Sequence, residues 1–423
     1  MIKLTQLPSL FRDEKLMCSA FCVGIIYSLF LWPLLNTILC ICLGVYWLLF
    51  CKKNFDLNKN SSRLVIVFAC LYLPYIVGMF YTSNKEAGYF SLTEHIAFLL
   101  FPVVFGSSRF LDQSMVHRLL SHFIISCLVA SLSGFLFGLL PEYIHLPDAL
   151  RHGHQYVFGY TYPYIIGLGC LLSILVIGEN LYDQEILSRR FVYLILAFLS
   201  FYLLFLNVRL VSLCWLTVIL YFIFRKIPST GLRIIASFTL ILMLVLGFFR
   251  IPMWKSKWNE LRDYHEQEIP LDQDASLGRS WGGMSIRIAL WKCGMDLIER
   301  HPLMGVGTGD VQDSLQMSYE KRKFYFASRY NKYNLHNQFL QTLAAFGVCG
   351  LIILLACIIA PVIWLPSGSL YRIRIMFLLL FFLICFTEVI LDTNKGIIWY
   401  SFFNSIFAFG GSEKIENPPV LTE

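Results

Sequence analysis

The chain has 423 residues, 57% of them hydrophobic and only 14% charged, with 37 Phe and 22 Tyr. A soluble domain averages about 45–50% apolar and about 25% charged, so no soluble fold of this size has enough interior for such a surface. The formal charge of +7 matches the Lys and Arg that cytoplasmic loops of a polytopic membrane protein retain, and does not point to a nucleic-acid partner.

In chain order, Arg12, Asp13, Glu14 and Lys15 precede an apolar stretch from Leu16 to Phe50. That is too long for a secretory signal and has no small-residue cleavage site, so it reads as an uncleaved hairpin of two spans, 16–31 and 34–50, turning at Trp32 and Pro33. Further apolar segments follow at 64–81, 92–106, 119–140, 160–178, 191–208, 210–224, 234–249, 338–363, 375–391 and 396–410. The segment 92–106 is short, and 191–224 exceeds one span of ~20 residues and divides at Arg209. The expected fold is an all-α polytopic membrane protein of about twelve spans. Residues 1–249 hold nine spans, 250–337 form one large loop domain, 338–411 hold three spans, and 412–423 are a tail.

Charge orients this arrangement. With the N-terminus inside, the inner segments hold 17 Lys and Arg and the short outer loops hold four, Lys85, Arg151, Arg209 and Lys395. The remaining 13 lie in 250–337, a segment long enough to be exempt from the positive-inside rule. Both termini are therefore expected in the cytoplasm and the large loop outside. Nearly all of the 13 Cys sit in apolar runs, where a thiol behaves as a small hydrophobe; only Cys293 lies in a long polar region. Their spacings suggest neither a disulfide framework nor a zinc site.

The loop opens with a tryptophan-rich, charged stretch (Trp254, Trp258, Arg262, His265). A helix is expected over about 284–300, with Ile288, Trp291 and Met295 at helical spacing. After it come a turn at Gly305, Gly307 and Gly309 and a basic, tyrosine-rich run from Tyr319 to Tyr333. The glycines superficially resemble a nucleotide loop, but no strand precedes them, and a tight turn is the expected reading. Asp272-Gln273-Asp274 has a partial metal spacing that is read as chance, and His152-Gly153-His154 could bind a metal but has no third ligand nearby in sequence.

Polar groups near span ends on one side are where chemistry is sought. Arg209, His336, Glu388, Asp392 and Lys395 fall at outer span ends, and Arg287 falls in the outer loop. Arg209 is either a fixed cation for a phosphate, which guanidinium grips as a fork, or an anchor that snorkels to lipid head groups. Arg287 shares a helix face with Trp291 and is either a second phosphate clamp or a solvated charge. His336 is either a general base, since histidine titrates near neutrality, or a hydrogen-bonded residue at a helix start. Glu388 and Asp392 are either catalytic or members of structural ion pairs.

Glu299-Arg-His-Pro-Leu-Met-Gly-Val-Gly-Thr-Gly-Asp310, then Leu335-His-Asn-Gln-Phe-Leu-Gln341, then Phe346-Gly-Val-Cys-Gly-Leu351 resemble the O-antigen ligase and polymerase superfamily. That family has Pro-x-x-Gly-x-Gly in its large periplasmic loop, His-Asn opening the next span, and a Gly-containing apolar stretch after it. The segment Phe381-Phe-Leu-Ile-Cys-Phe-Thr-Glu-Val-Ile390 resembles its Thr-Glu-containing penultimate span. The resemblance extends to span order and loop placement, and it implies a GT-C-like fold in a bacterial inner membrane with a periplasmic active site. It also implies an undecaprenyl-diphosphate-linked glycan as donor, lipid A–core or a growing glycan as acceptor, membrane lipids as surroundings, and neither cofactor nor metal. By position, Arg209 and Arg287 match the family's diphosphate-binding arginines and His336 its acceptor-activating histidine, with Asn337 and Glu388 in support. The family usually has a small residue, often Ser, before the first arginine, where this chain has Val208. Ligase, polymerase and protein oligosaccharyltransferase remain open, and the rival from another class is a flippase for lipid-linked sugars.

Overall fold

The computed structural model describes residues 13–51, 60–108, 110–138, 163–206, 208–250 and 283–411. The Trp254–His265 stretch, Asp272-Gln273-Asp274, His152-Gly153-His154 and the tail 412–423 lie outside the described residues. Among the described residues every regular element is helical. In order they are α1 (Glu14–Leu31), α2 (Pro33–Phe50), α3 (Asn60–Cys70), α4 (Leu73–Gly78), α5 (Lys85–His95), α6 (Ala97–Ser107), α7 (Gln113–Gly138), α8 (Pro163–Gly178), α9 (Arg189–Phe205), α10 (Arg209–Lys226) and α11 (Thr230–Arg250). The loop domain adds α12 (Gly283–Arg300) and α13 (Val311–Lys321); α14 (Gln338–Trp364), α15 (Tyr371–Ile384) and α16 (Asn394–Phe409) complete the chain.

Among the described residues, most of each expected apolar segment lies on one of these helices or on a consecutive pair, 375–391 being helical only as far as Ile384. Pro33–Phe50, Lys85–Ser107, Gln113–Phe137 and Gln338–Trp364 are long and apolar enough to cross a bilayer, and Arg63–Gly78, Pro163–Gly178 and Thr230–Val245 are shorter apolar helices. The molecule is an integral membrane protein. Local chemistry sets the helix ends. Trp32 is extended and Pro33 opens α2, where its missing N–H costs nothing. Asp13, Asn84, Asn337 and Thr393 accept backbone N–H bonds as N-caps of α1, α5, α14 and α16.

Helix α16 is buried along its length from Lys395 to Phe409, as expected of a helix that is apolar on every side. Phe402 meets Phe101 edge-on at 5.2 Å, and Phe403 meets Phe123 at 4.4 Å. On the periphery Phe191, Tyr193 and Leu194 of α9 and Ile234, Phe238 and Met243 of α11 are exposed. Such faces belong against lipid.

Ion pairs test the predicted alternation. Lys15–Asp112, Arg118–Asp183 and the pairs of Glu179 with Arg225 and Arg372 join segments assigned to one side. Arg287–Glu388, His336–Glu388 and Arg322–Asp296 join segments assigned to the other. None of the pairs named here joins the two groups.

Two expectations need correction. The segment 375–391 was expected to be one span, but α15 stops at Ile384 although Phe386, Val389, Ile390 and Leu391 continue its apolar character. The chain unwinds because other groups take its backbone partners. Cys385 O accepts from Gln338 N at 2.8 Å, and Phe386 O from Asn337 Nδ2 at 3.1 Å. Leu391 N donates to Gln338 Oε1 at 2.8 Å. In the loop domain, α12 forms as expected but its buried face is Leu290, Cys293 and Leu297, packed with Leu315, Tyr319 and Phe324, while Met295 is exposed. The basic run is likewise not all surface: Tyr319 is in that core, and Arg322 holds Asp296 at 2.5 and 2.6 Å.

The glycine turn is a splice. Helix α14 breaks at Gly347, whose φ is +63°. Val306 N and Gly307 N donate to Ala344 O and Ala345 O at 3.0 and 2.9 Å, and Val348 N and Cys349 N donate to Pro302 O and Leu303 O at 2.8 and 3.3 Å. The loop thus satisfies the backbone groups that the break exposes, the condition for irregular backbone at membrane depth. A Cβ on Gly347 would collide with the Leu303 carbonyl. Gly347→Ala is expected to cost about 1–3 kcal/mol from the left-handed backbone alone, with the collision added, read as a lowered Tm in detergent.

Asp310 pins the same turn to the α4–α5 corner. It accepts from Ser83 N and Asn84 N at 2.7 Å each. Burial would raise its carboxyl, but those backbone donors outweigh it and hold it below the usual carboxylate range.

Candidate active site

The loop domain, the unwound 385–393 segment and the starts of α8 and α10 enclose a cavity of 780 Å³. Arg209, Arg287, His336 and Glu388 all line it, with Tyr164, Trp291 and Thr387. Residues far apart in sequence therefore share one chamber, and each arrives by a definite local device.

Arg209 is the first residue of α10, half-buried, behind Val208, which makes no side-chain cap. No acidic residue occupies that first turn. Helix starts favour negative charge, so an arginine there runs against helix stability and sets a fixed cation beside the N-terminal N–H groups. That combination favours an anion.

Arg287 projects from α12 one turn before Trp291. Its Nη2 donates to Glu388 Oε1 at 2.7 Å and to Tyr164 Oη at 3.3 Å. Its Nη1 donates to Gly283 O at 3.0 Å and its Nε to Thr387 O at 3.3 Å. Four of the five guanidinium N–H groups are thus engaged, leaving one on Nη1. The fork expected from sequence is mostly occupied by protein, and a bidentate grip on a phosphate requires Glu388 or Tyr164 to let go.

His336 sits in the loop before α14 with φ +44°, a backbone region uncommon for any residue but glycine and one that clusters at functional sites. Its neighbours hold it there. Trp291 Nε1 donates to Leu335 O at 2.8 Å, Leu335 N donates to Gln341 Oε1 at 3.2 Å, and His336 N donates to Asn334 Oδ1 at 3.0 Å. The Nδ1 atom lies 3.4 Å from Glu388 Oε2. Glu388 therefore bridges Arg287 and His336, one oxygen to each.

Asn337, expected in support, faces the backbone: it caps α14 at Leu340 N (3.0 Å) and holds Phe386 O. Asp392 and Lys395 make no ion pair with each other; Asp392 accepts from Gln341 Nε2 at 2.9 Å. Sequence reasoning missed Tyr164, Gln341 and Thr387. Thr387 has a buried hydroxyl with no partner among the described residues, and the Thr-Glu pair was the signal for it. Gln341 stands one turn after the His-Asn pair, so helical spacing marked it. Nothing local marked Tyr164. No group of three or more His, Cys, Asp or Glu suited to a metal occurs among the described residues.

Residues 192–355 match the family model described as O-antigen ligase. A comparison with curated proteins gives no match. The matched stretch runs from α9 into α14 and contains Arg209, Arg287 and His336, while Glu388 lies beyond it. Over this stretch, and in the order of its motifs, the chain is similar to the O-antigen ligase family.

Proposed function

We propose that this protein is a ligase-type glycosyltransferase that moves a polysaccharide from undecaprenyl diphosphate to lipid A–core. The reaction takes place at the periplasmic face of a bacterial inner membrane, in a GT-C-like bundle of twelve spans with both termini in the cytoplasm. The observation that carries the reading is the shared cavity: two arginines, a histidine and the carboxylate that bridges Arg287 and His336 converge from four separate elements. The excess of Lys and Arg in the other set of loops supports the orientation.

The reaction follows from those groups. Glu388 holds the Nδ1–H of His336, so Nε2 is left as the base. An acceptor hydroxyl loses its proton to Nε2 as its oxygen bonds to the anomeric carbon. The bond from that carbon to the diphosphate oxygen breaks on the opposite face, and the diphosphate leaves with the electron pair, inverting the centre. Arg209, the Arg287 charge and the Thr387 hydroxyl stabilise the charge that collects on the leaving group. The lipid-linked donor carries its own activation, so neither nucleotide nor metal enters this scheme.

A flippase reading expects ionisable groups near the midplane. Here they gather beside the loop domain, which supports transfer chemistry. A strain lacking the gene tests the assignment through its lipopolysaccharide and undecaprenyl-linked glycan profiles. Bare core with long polymer accumulating on undecaprenyl diphosphate is the expected result. Core carrying a single repeat would make the protein a polymerase, and an unchanged profile would overturn both readings.

A further inference from the structure

A second, smaller cavity lies behind the first. It measures 190 Å³, about a quarter of the arginine-lined chamber, and sits between α4, α5, α14 and the start of α13. The three-residue turn Ile390–Asp392 and Thr393 form the partition: Ile390 and Thr393 line the large cavity, and Asp392 lines the small one.

The lining of the second chamber has the opposite charge. Glu94 and Asp392 both face it, and neither is in an ion pair among the described residues. Glu94 has no hydrogen-bond partner among those residues, and Asp392 uses one oxygen, Oδ2, toward Gln341. Asp392 has accessible surface and lines the cavity. Burial pushes that carboxyl up to about 7, against the Gln341 hydrogen bond and with help from the Glu94 charge. Gln312 spends its Nε2 on Lys332 O at 2.8 Å, leaving its carbonyl oxygen.

An independent observation comes from Tyr75. It is more than nine-tenths buried, it lines the cavity, and its ring stacks on His95 at 3.9 Å. Its hydroxyl has no hydrogen-bond partner among the described residues. A hydroxyl left open in such a place is unfavourable unless something in the cavity meets it. The unspent groups are therefore two carboxyls, an amide oxygen and one hydroxyl, with no cation among them. They match a ligand that presents several hydroxyls.

We propose that this chamber is a subsite for one neutral sugar ring, with Glu94, Asp392 and Tyr75 hydrogen-bonding its hydroxyls. The inference rests on the glycosyltransferase reading for the source of the ring, which is either the acceptor or the donor glycan. The two chambers divide the substrates by charge: the diphosphate goes to the arginines and an uncharged ring to the carboxylates. Asp392 is tied to the catalytic loop, because Gln341 bonds both Asp392 and Leu335 N, the residue before His336. Occupancy of the small chamber thus bears on the position of the base.

The test uses the full chain in nanodiscs and saturation-transfer NMR with methyl α-D-glucopyranoside, methyl α-D-galactopyranoside and N-acetylglucosamine as free probes. At least one is expected to receive saturation from the wild type. The signal should fall at least fivefold in Glu94→Gln and in Tyr75→Phe, and persist in His336→Asn. Saturation absent for all three sugars, or indifferent to Glu94→Gln and Tyr75→Phe, overturns the proposal. Displacement of the sugar by millimolar MgCl2 at constant ionic strength overturns it in favour of a cation site. Transfer assays then identify the source. A KM raised tenfold or more for the acceptor alone marks an acceptor subsite, and the same rise for the donor alone marks a donor subsite. The NMR readout needs no turnover, so failure of the subsite and failure of the ligase assignment are separable.

Discussion

Arg287→Gln is expected to lower both stability and transfer, and adding Glu388→Gln is expected to restore the first and not the second. The single change removes the cation from a carboxylate whose side chain is 14% exposed, while the arginine it pairs with is 21% exposed. Breaking a buried pair costs about 3–5 kcal/mol, and this one, still partly open to water, belongs at about 3 or below. Neutralising Glu388 as well removes the stranded charge, so the Tm of the double variant should return most of the way to wild type. Transfer behaves differently. On the proposed mechanism, the charge that develops on the leaving diphosphate loses a fixed counter-charge, worth on the order of 10²–10³ in kcat. The double variant also lacks the carboxylate that orients His336. Recovery of transfer alongside Tm would mean that Arg287 serves only the fold.

His336→Asn separates chemistry from structure at the other end of the same bridge. The residue holds a φ of +44°, a conformation that asparagine adopts more readily than most residues. Asparagine is therefore expected to keep the loop and the Tm, whereas a β-branched residue there would strain the backbone. What is lost, on the proposed mechanism, is the base, worth about 10²–10⁴ in rate. The fall should appear in kcat with the donor KM little changed, because the proposed contacts to the diphosphate are the arginines. A variant that keeps wild-type kcat would remove the histidine from the mechanism. A variant that loses Tm and kcat together would make it a structural residue.

Much of this architecture is legible in the sequence because membrane helices are written in composition. Twenty apolar residues in a row report a local fact, and the breaks at Trp32–Pro33 and at Arg209 report where the chain turns. Legibility fails where a helix ends for reasons outside itself. Nothing in Phe386–Leu391 announces that α15 has stopped, since the partners that unwind it, Asn337 and Gln338, are about fifty residues away. Likewise the phase of α12 depends on α13 and α14, which bury Leu290 and Leu297 and leave Trp291 at the cavity.

The candidate site divides the same way. Arginine, histidine and carboxylate at span ends are visible one by one, because a charge amid apolar residues stands out. Their relations are not visible. That Glu388 serves both Arg287 and His336, that Tyr164 joins them, and that the Gly305–Gly309 turn splices the break in α14 are all matters of distance between segments remote in sequence. The sequence by itself determined a membrane protein, its run of apolar helices and the residue types available for catalysis, since burial in lipid and charge near an interface are properties of short windows. Only the tertiary structure decided which of those charges share a cavity and which acidic groups lie apart in a second one. Hydrogen bonds and ion pairs act over about 3–4 Å and take no account of sequence separation.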